Sequence, residues 1–108
     1  MTAAELGALD LRVGRVASVE AFPEARRAAW KLTVDFGPDV GVLASSAQVT
    51  NYSAEELAGR LVIGAVNLGA KRIAGFVSQC LVLGAVEESG LVTLLAPSAS
   101  VPVGTPVG

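Results

Sequence analysis

The chain has no histidine, one cysteine, and few rings: three Phe, one Trp and one Tyr. Without histidine there is no His-based triad, no His-ligated metal site and no imidazole pH switch. A lone cysteine, Cys80, excludes a disulfide within the chain and reads as a buried thiol in a reducing cytoplasm. Charged residues make up only 17% against 52% apolar, with a net charge of −2. That balance excludes disorder and any attraction of the whole surface to nucleic acid. No apolar run reaches the roughly 18 residues that cross a bilayer, so no membrane insertion is expected. The opening "MTAAELGALDLRVGR" lacks the basic-then-apolar order of a signal peptide, which again predicts a cytoplasmic protein.

Enzymatic motifs fail on inspection, and neither cofactor nor metal is expected. "GAVNLGAK" resembles a phosphate loop, but Ala70 separates Gly69 from Lys71 and no hydroxyl residue follows. Ser45 and Ser46 have no histidine to activate them, and Cys80 lies in an apolar run that raises its pKa. Asp10 and Asp35 fall on the polar faces of strands, where Asp10 can pair with a neighbouring Arg.

What is present is a strand-rich pattern over residues 1–108, read as one domain. "TAAEL" and "SAEEL" are capping boxes, Thr2 with Glu5 and Ser53 with Glu56, stopped by Gly7 and Gly59. They predict a short leading helix and a helix of about two turns after residue 53. "LDLRVGRVASVEAF" is a long strand whose alternation slips at Gly14-Arg15, the mark of a bulge. "WKLTVDFG" places Trp30, Leu32, Val34 and Phe36 on one face, and "VGVLASSAQVT" follows as a third strand after the turn "GPDVG". "LVIGAVN" and "FVSQCLVLGAV" read as fourth and fifth strands buried on both faces, and "LVTLLA" as a short sixth. The tail, with Pro97, Pro102 and Pro106, is expected to lie extended on the surface. Three strands, a helix, then two more strands predict a mainly β OB-fold, a five-stranded Greek-key barrel with short flanking extensions. A sandwich or SH3-like barrel is the alternative, and neither accounts for a helix in that gap.

In such a barrel the loops after the first and fourth strands grip the ligand. Here these are "FPEARRAA" and "LGAKRIAG", which hold Arg26, Arg27, Lys71 and Arg72, four of the eight basic residues, with Lys31 just beyond. Either these cations simply face water, or they bind phosphates by counterion release without reading base sequence. Of the rings, Phe22, Tyr52 and Phe76 are the candidates for exposure, too few for an extended single-strand binder. The apolar surplus likewise has two explanations, a dense core or a surface reserved for a second subunit or ligand.

"LDLRVGRV", "FPEARRAAWKLTVDFG", "VLASSAQVTNYSAEELAGR" and "AVNLGAKRIAGFVSQCLVLGA" together resemble the tRNA-binding OB domain found free-standing and appended to methionyl- and phenylalanyl-tRNA synthetases. The segments "PEARRAAWKLTVDFG" and "SSAQ" are most similar to its small stand-alone branch, the CsaA export-related chaperones. The resemblance implies a non-enzymatic homodimer that binds tRNA by shape and phosphate, and unfolded or preprotein polypeptide on apolar pockets during secretion. By position it carries the family's pattern onto Asn67, Arg72, Gly75 and Ser78, and onto Ser45, Ser46 and Gln48. The expected RNA contacts are therefore Arg26, Arg27, Lys31, Asn67, Lys71, Arg72 and Ser78, and the expected polypeptide contacts are Leu68, Ile73 and Phe76. Gln79-Cys80 stands where synthetase-linked relatives tend to have Gly-Met.

Overall fold

A computed structural model describes all residues, 1–108. The helix α1 (Ala3–Gly7) leads into β1 (Leu11–Ala21), β2 (Trp30–Asp35) and β3 (Val42–Ala47). A single helical turn, α2 (Ala54–Leu57), precedes β4 (Leu61–Ala65). The remaining strands are short: β5 (Lys71–Ile73), β6 (Phe76–Ser78), β7 (Leu81–Val82), β8 (Gly84–Val86), β9 (Val92–Leu94) and β10 (Pro106–Val107). The main sheet runs β3-β2-β1-β4-β7, all neighbours antiparallel, with β10 added to the outer end of β1. It curls until β3 meets the β6–β7 segment, which makes a nearly closed five-stranded OB-fold barrel, as the element order predicts.

The barrel is filled by the face predicted from "WKLTVDF". Leu32, Val34 and Phe36 are fully buried together with Val16, Leu57 and Val62, while Trp30 is partly buried and donates its indole N–H to the Tyr52 carbonyl at 3.1 Å. Phe36 explains two glycines. A Cβ on Gly14 or on Gly64 would lie within 2.7 Å of its ring, so neighbouring strands leave a slot that only glycine can line. The bulge is therefore not at Gly14-Arg15. The register against β2 shifts between Val16 and Ser18, and Gly14 serves ring packing instead.

Other expectations also need correction. The run 76–86 is not one strand buried on both faces; it breaks into β6, β7 and β8, with Val77, Leu81 and Val86 exposed. The helix α2 is one turn rather than two, and α1 runs through Gly7 to a right-handed cap at Ala8. The tail behaves as its prolines require: Pro106–Val107 forms a two-residue pairing at the edge of β1. Asp10 does pair with an Arg, at 2.6 Å from Arg12, and holds that guanidinium still more firmly protonated.

The seam that closes the barrel is made largely by side chains. One backbone bond crosses it, from the Gln79 N–H to the Ala44 carbonyl at 2.7 Å. The Ala44 N–H donates to Gln79 Oε1 at 3.0 Å, and the Ser46 N–H donates to Ser78 Oγ at 3.0 Å. Ser45 donates its hydroxyl to the Cys80 carbonyl at 3.0 Å. Two side-chain oxygens thus stand where a neighbouring strand's carbonyls would be, and the edge of β3 is satisfied without a full ladder.

Candidate functional site

The first loop, between β1 and β2, and the β5–β6 hairpin rise on the same side of the barrel and face each other. The hairpin turns through Ala74 and Gly75, both with positive φ (47° and 83°), the type I′ geometry that a two-residue turn favours. Lys71 and Arg72 therefore stand on β5, before the tip rather than at it. Two rings and a cation join the two elements. Phe22 packs edge-on against Phe76 with centroids 5.4 Å apart, and Lys31 Nζ lies 4.9 Å from the first ring and 5.5 Å from the second. A cation held over two rings is worth about 0.5–2 kcal/mol and fixes the hairpin against the loop. Phe22 is accordingly buried, not exposed as its loop position suggests, and Tyr52 is half-buried with its hydroxyl accepting the Leu94 N–H at 3.1 Å.

Between loop and hairpin runs a groove of about 570 Å³. Arg26 and Arg27 line one wall, Lys71, Arg72 and Ile73 the other, and Ser46 and Gln48 from the end of β3 form the floor. No carboxylate lines it. The four expected loop cations are thus brought together at one site, in a local field of a single sign.

This groove continues in two directions from its floor. A cavity of about 490 Å³ shares Arg27, Ser46 and Gln48 with it and is otherwise walled mainly by apolar residues, among them Val49, Leu81, Val82, Val86 and Val92. A smaller one of about 340 Å³ shares Ser46, Gln48, Lys71 and Ile73, and adds Leu68, Leu81 and Cys80. The apolar wall from β7 to β9 is the part that reading the sequence misses. The run 76–86 looks like buried strand, and only its division into three short strands turns Leu81 and Val86 outward.

The remaining expected residues have structural tasks. Asn67 is a staple: its side-chain amide donates to the Ala8 carbonyl and accepts from the Asp10 N–H, both at 2.8 Å. Ser78 is buried in the barrel seam, Phe76 packs on Phe22, and Lys31 lies over both of those rings. Leu68 and Ile73 do meet, in the smaller cavity. Cys80 is a buried thiol pushed up to about 11 by desolvation, with a hydrogen bond from Ser45 opposing, so it stays protonated and unreactive.

Comparison with known proteins assigns the chain and its fold to a family. Residues 11–106 match the family described as "Putative tRNA binding domain". The chain belongs to that family, as a CsaA-type OB-domain protein. The crystal structure of the chaperone CsaA from Bacillus anthracis superposes with a TM-score of 0.94 at 44% identity, covering 100% of this chain and 98% of that one. The CsaA chaperone protein from Picrophilus torridus gives 0.94 at 40% identity, covering 100% and 99%. The methionine–tRNA ligase of Methanococcus maripaludis is 37% identical over 101 residues, 94% of this chain but only 15% of the ligase. The chain therefore corresponds to a small part of the curated ligases it matches, and the CsaA-type match is a binding domain rather than a catalytic one. No helix is long and apolar enough to cross a membrane.

Proposed function

We infer that the protein is a non-enzymatic chaperone of CsaA type that holds unfolded or preprotein polypeptide in the cytoplasm for export, with residues 1–108 acting as one binding unit and as a homodimer. The observation that carries this reading is the apolar cavity beside β3, where exposed Leu81 and Val86 line an open wall. Full-length likeness to two CsaA chaperones supports it. So does a second unpartnered surface, a cleft of about 670 Å³ between α1 and β10 lined by Leu6, Leu9, Leu11 and Val107, which suits a second copy. The test is capture of a chemically unfolded client by the full chain. Leu81→Asn, an exposed change, is expected to weaken capture about tenfold, the effect of losing a buried aliphatic contact. Unchanged capture removes the cavity from the site.

A second reading rests on a separate observation, the acid-free groove with Arg26, Arg27, Lys71 and Arg72. It supports tRNA binding through phosphates, as the family description suggests. Each lost phosphate contact lowers the slope of log affinity against log salt by about 1, so Lys71→Ala with Arg72→Ala is expected to flatten it by about 2. An unaltered slope takes the hairpin out of any RNA site. Asn67 and Ser78, both engaged within the fold, have no contact role in this reading.

A further inference from the structure

The cationic groove and the apolar cavity are one continuous trough, since both are lined by Arg27, Ser46 and Gln48. Its two halves differ in chemistry. One end presents four cations and no carboxylate; the other presents aliphatic side chains from β3, β7, β8 and β9. Acids flank the trough without lining it: Glu87 and Glu88 of the β8–β9 turn follow Val86 of the apolar wall, and the exposed Glu24 precedes Ala25 in the first loop. A ligand lying along the whole trough meets attraction for negative charge at the hairpin and repulsion of it at the apolar end.

We propose that the trough selects one class of polypeptide: an extended segment in which an apolar run adjoins a cluster of acidic residues. The apolar run lies on Leu81, Val82 and Val86, and the acids lie between Arg26-Arg27 and Lys71-Arg72. This rests on the polypeptide-holding reading above and narrows it. Duplex RNA also satisfies the cations, but it has nothing to place against an aliphatic wall, whereas a mixed polypeptide satisfies both halves. The molecule's longest dimension, 37 Å, and a strand rise of about 3.3 Å per residue limit the occupant to at most about eleven residues. Exposed ion pairs are weak singly, so selection comes from three or four acting together, and it is erased by salt.

The experiment uses the full chain and three labelled peptides read by fluorescence anisotropy. The first joins an apolar run to three glutamates, the second joins the same run to three lysines, and the third intersperses the three glutamates through the run. At low salt the first is expected to bind about tenfold more tightly than the second, the sum of several exposed pairs, and more tightly than the third. Raising the salt is expected to collapse that advantage while leaving a common apolar affinity. Lys71→Glu with Arg72→Glu, two exposed positions, is expected to reverse the order of the first two peptides. If the first two bind equally at low salt, the selection for acids is wrong although polypeptide holding stands. If no peptide binds and tRNA does, both fall. The salt series on the wild-type chain decides the matter even where the charge-reversed variant does not fold.

Discussion

The two helices carry the same capping chemistry and meet opposite fates. In α1 the Glu5 N–H donates to Thr2 Oγ1 and the Thr2 N–H donates to Glu5 Oε1, each at 3.2 Å. In α2 Ser53 and Glu56 make the same reciprocal pair at 3.1 and 2.9 Å. Yet Leu57 of α2 is fully buried, while α1 buries nothing and leaves Leu6 51% exposed. Capping satisfies the free N–H groups of a first turn, and it does so anywhere on the surface. Packing is what ties a turn to the barrel. α2 is tied to the core through Leu57, whereas α1 places no side chain in the core and is held at its cap by the Asn67 bond to the Ala8 carbonyl.

The helices should differ most at Leu57 and Leu6. Leu57→Ala removes a fully buried side chain from the core and is expected to cost about 2–5 kcal/mol in urea unfolding. Leu6→Ala, measured alike at a dilution where single chains prevail, is expected to fall within about 0.5 kcal/mol of wild type. A comparable loss at Leu6 means that α1 packs on its own barrel after all.

Leu6 shows its effect in assembly instead. Leu6→Glu puts a charge on the α1–β10 cleft, and a dimer closed through that cleft is expected to sediment at the one-chain mass of 10.9 kDa. A variant that keeps the two-chain mass places the interface elsewhere. A wild-type protein that already sediments as one chain ends the homodimer reading altogether.

The same division between local chemistry and distant packing decides what the amino-acid sequence discloses by itself. Local chemistry is legible: both capping boxes, the one-faced alternation from Trp30 to Phe36 and the glycine turn 37–41 all form as their residues predict. The OB-fold follows because their order leaves few topologies. What stays hidden depends on partners far along the chain. Gly14 and Gly64 are 50 positions apart, and only their shared contact with Phe36 explains either one. Ser78 looks like a strand residue of a ligand site, but its oxygen, with that of Gln79, completes the hydrogen bonding of β3. Asn67 looks like a contact residue and instead reaches back to residues 8 and 10. The meeting of the four loop cations is predictable because loops on one rim of a barrel converge whatever their details. The apolar wall is not, because its exposure comes from breaks in a run that carries no sequence signal for them.

A smaller difference is expected from the caps. Ser53→Ala is expected to cost about 1 kcal/mol, because the turn it starts holds Leu57 in place. Thr2→Ala breaks identical bonds in a turn that supports nothing, so its effect on urea unfolding is expected to be a few tenths of a kcal/mol at most. Equal costs at the two caps contradict the view that packing, not capping, separates the helices.

The finest probe is acid. Glu56 is held below its ordinary value, first by the hydrogen bond from the Ser53 backbone, then by that from the Ser53 side chain, with the charge of Arg60 adding and burial opposing. A carboxylate whose folded pKa lies below its unfolded one adds stability that is fully present above the unfolded pKa and is lost as pH falls through the folded value. Glu56→Gln isolates the charge, because glutamine can still accept the Ser53 N–H in the box. Wild type is therefore expected to exceed Glu56→Gln in stability at about pH 6, with the gap closing as pH falls through the lowered folded pKa and the carboxyl protonates in both states. A gap that is flat with pH means the charge contributes nothing, and that α2 owes its place to Leu57 and the cap geometry alone.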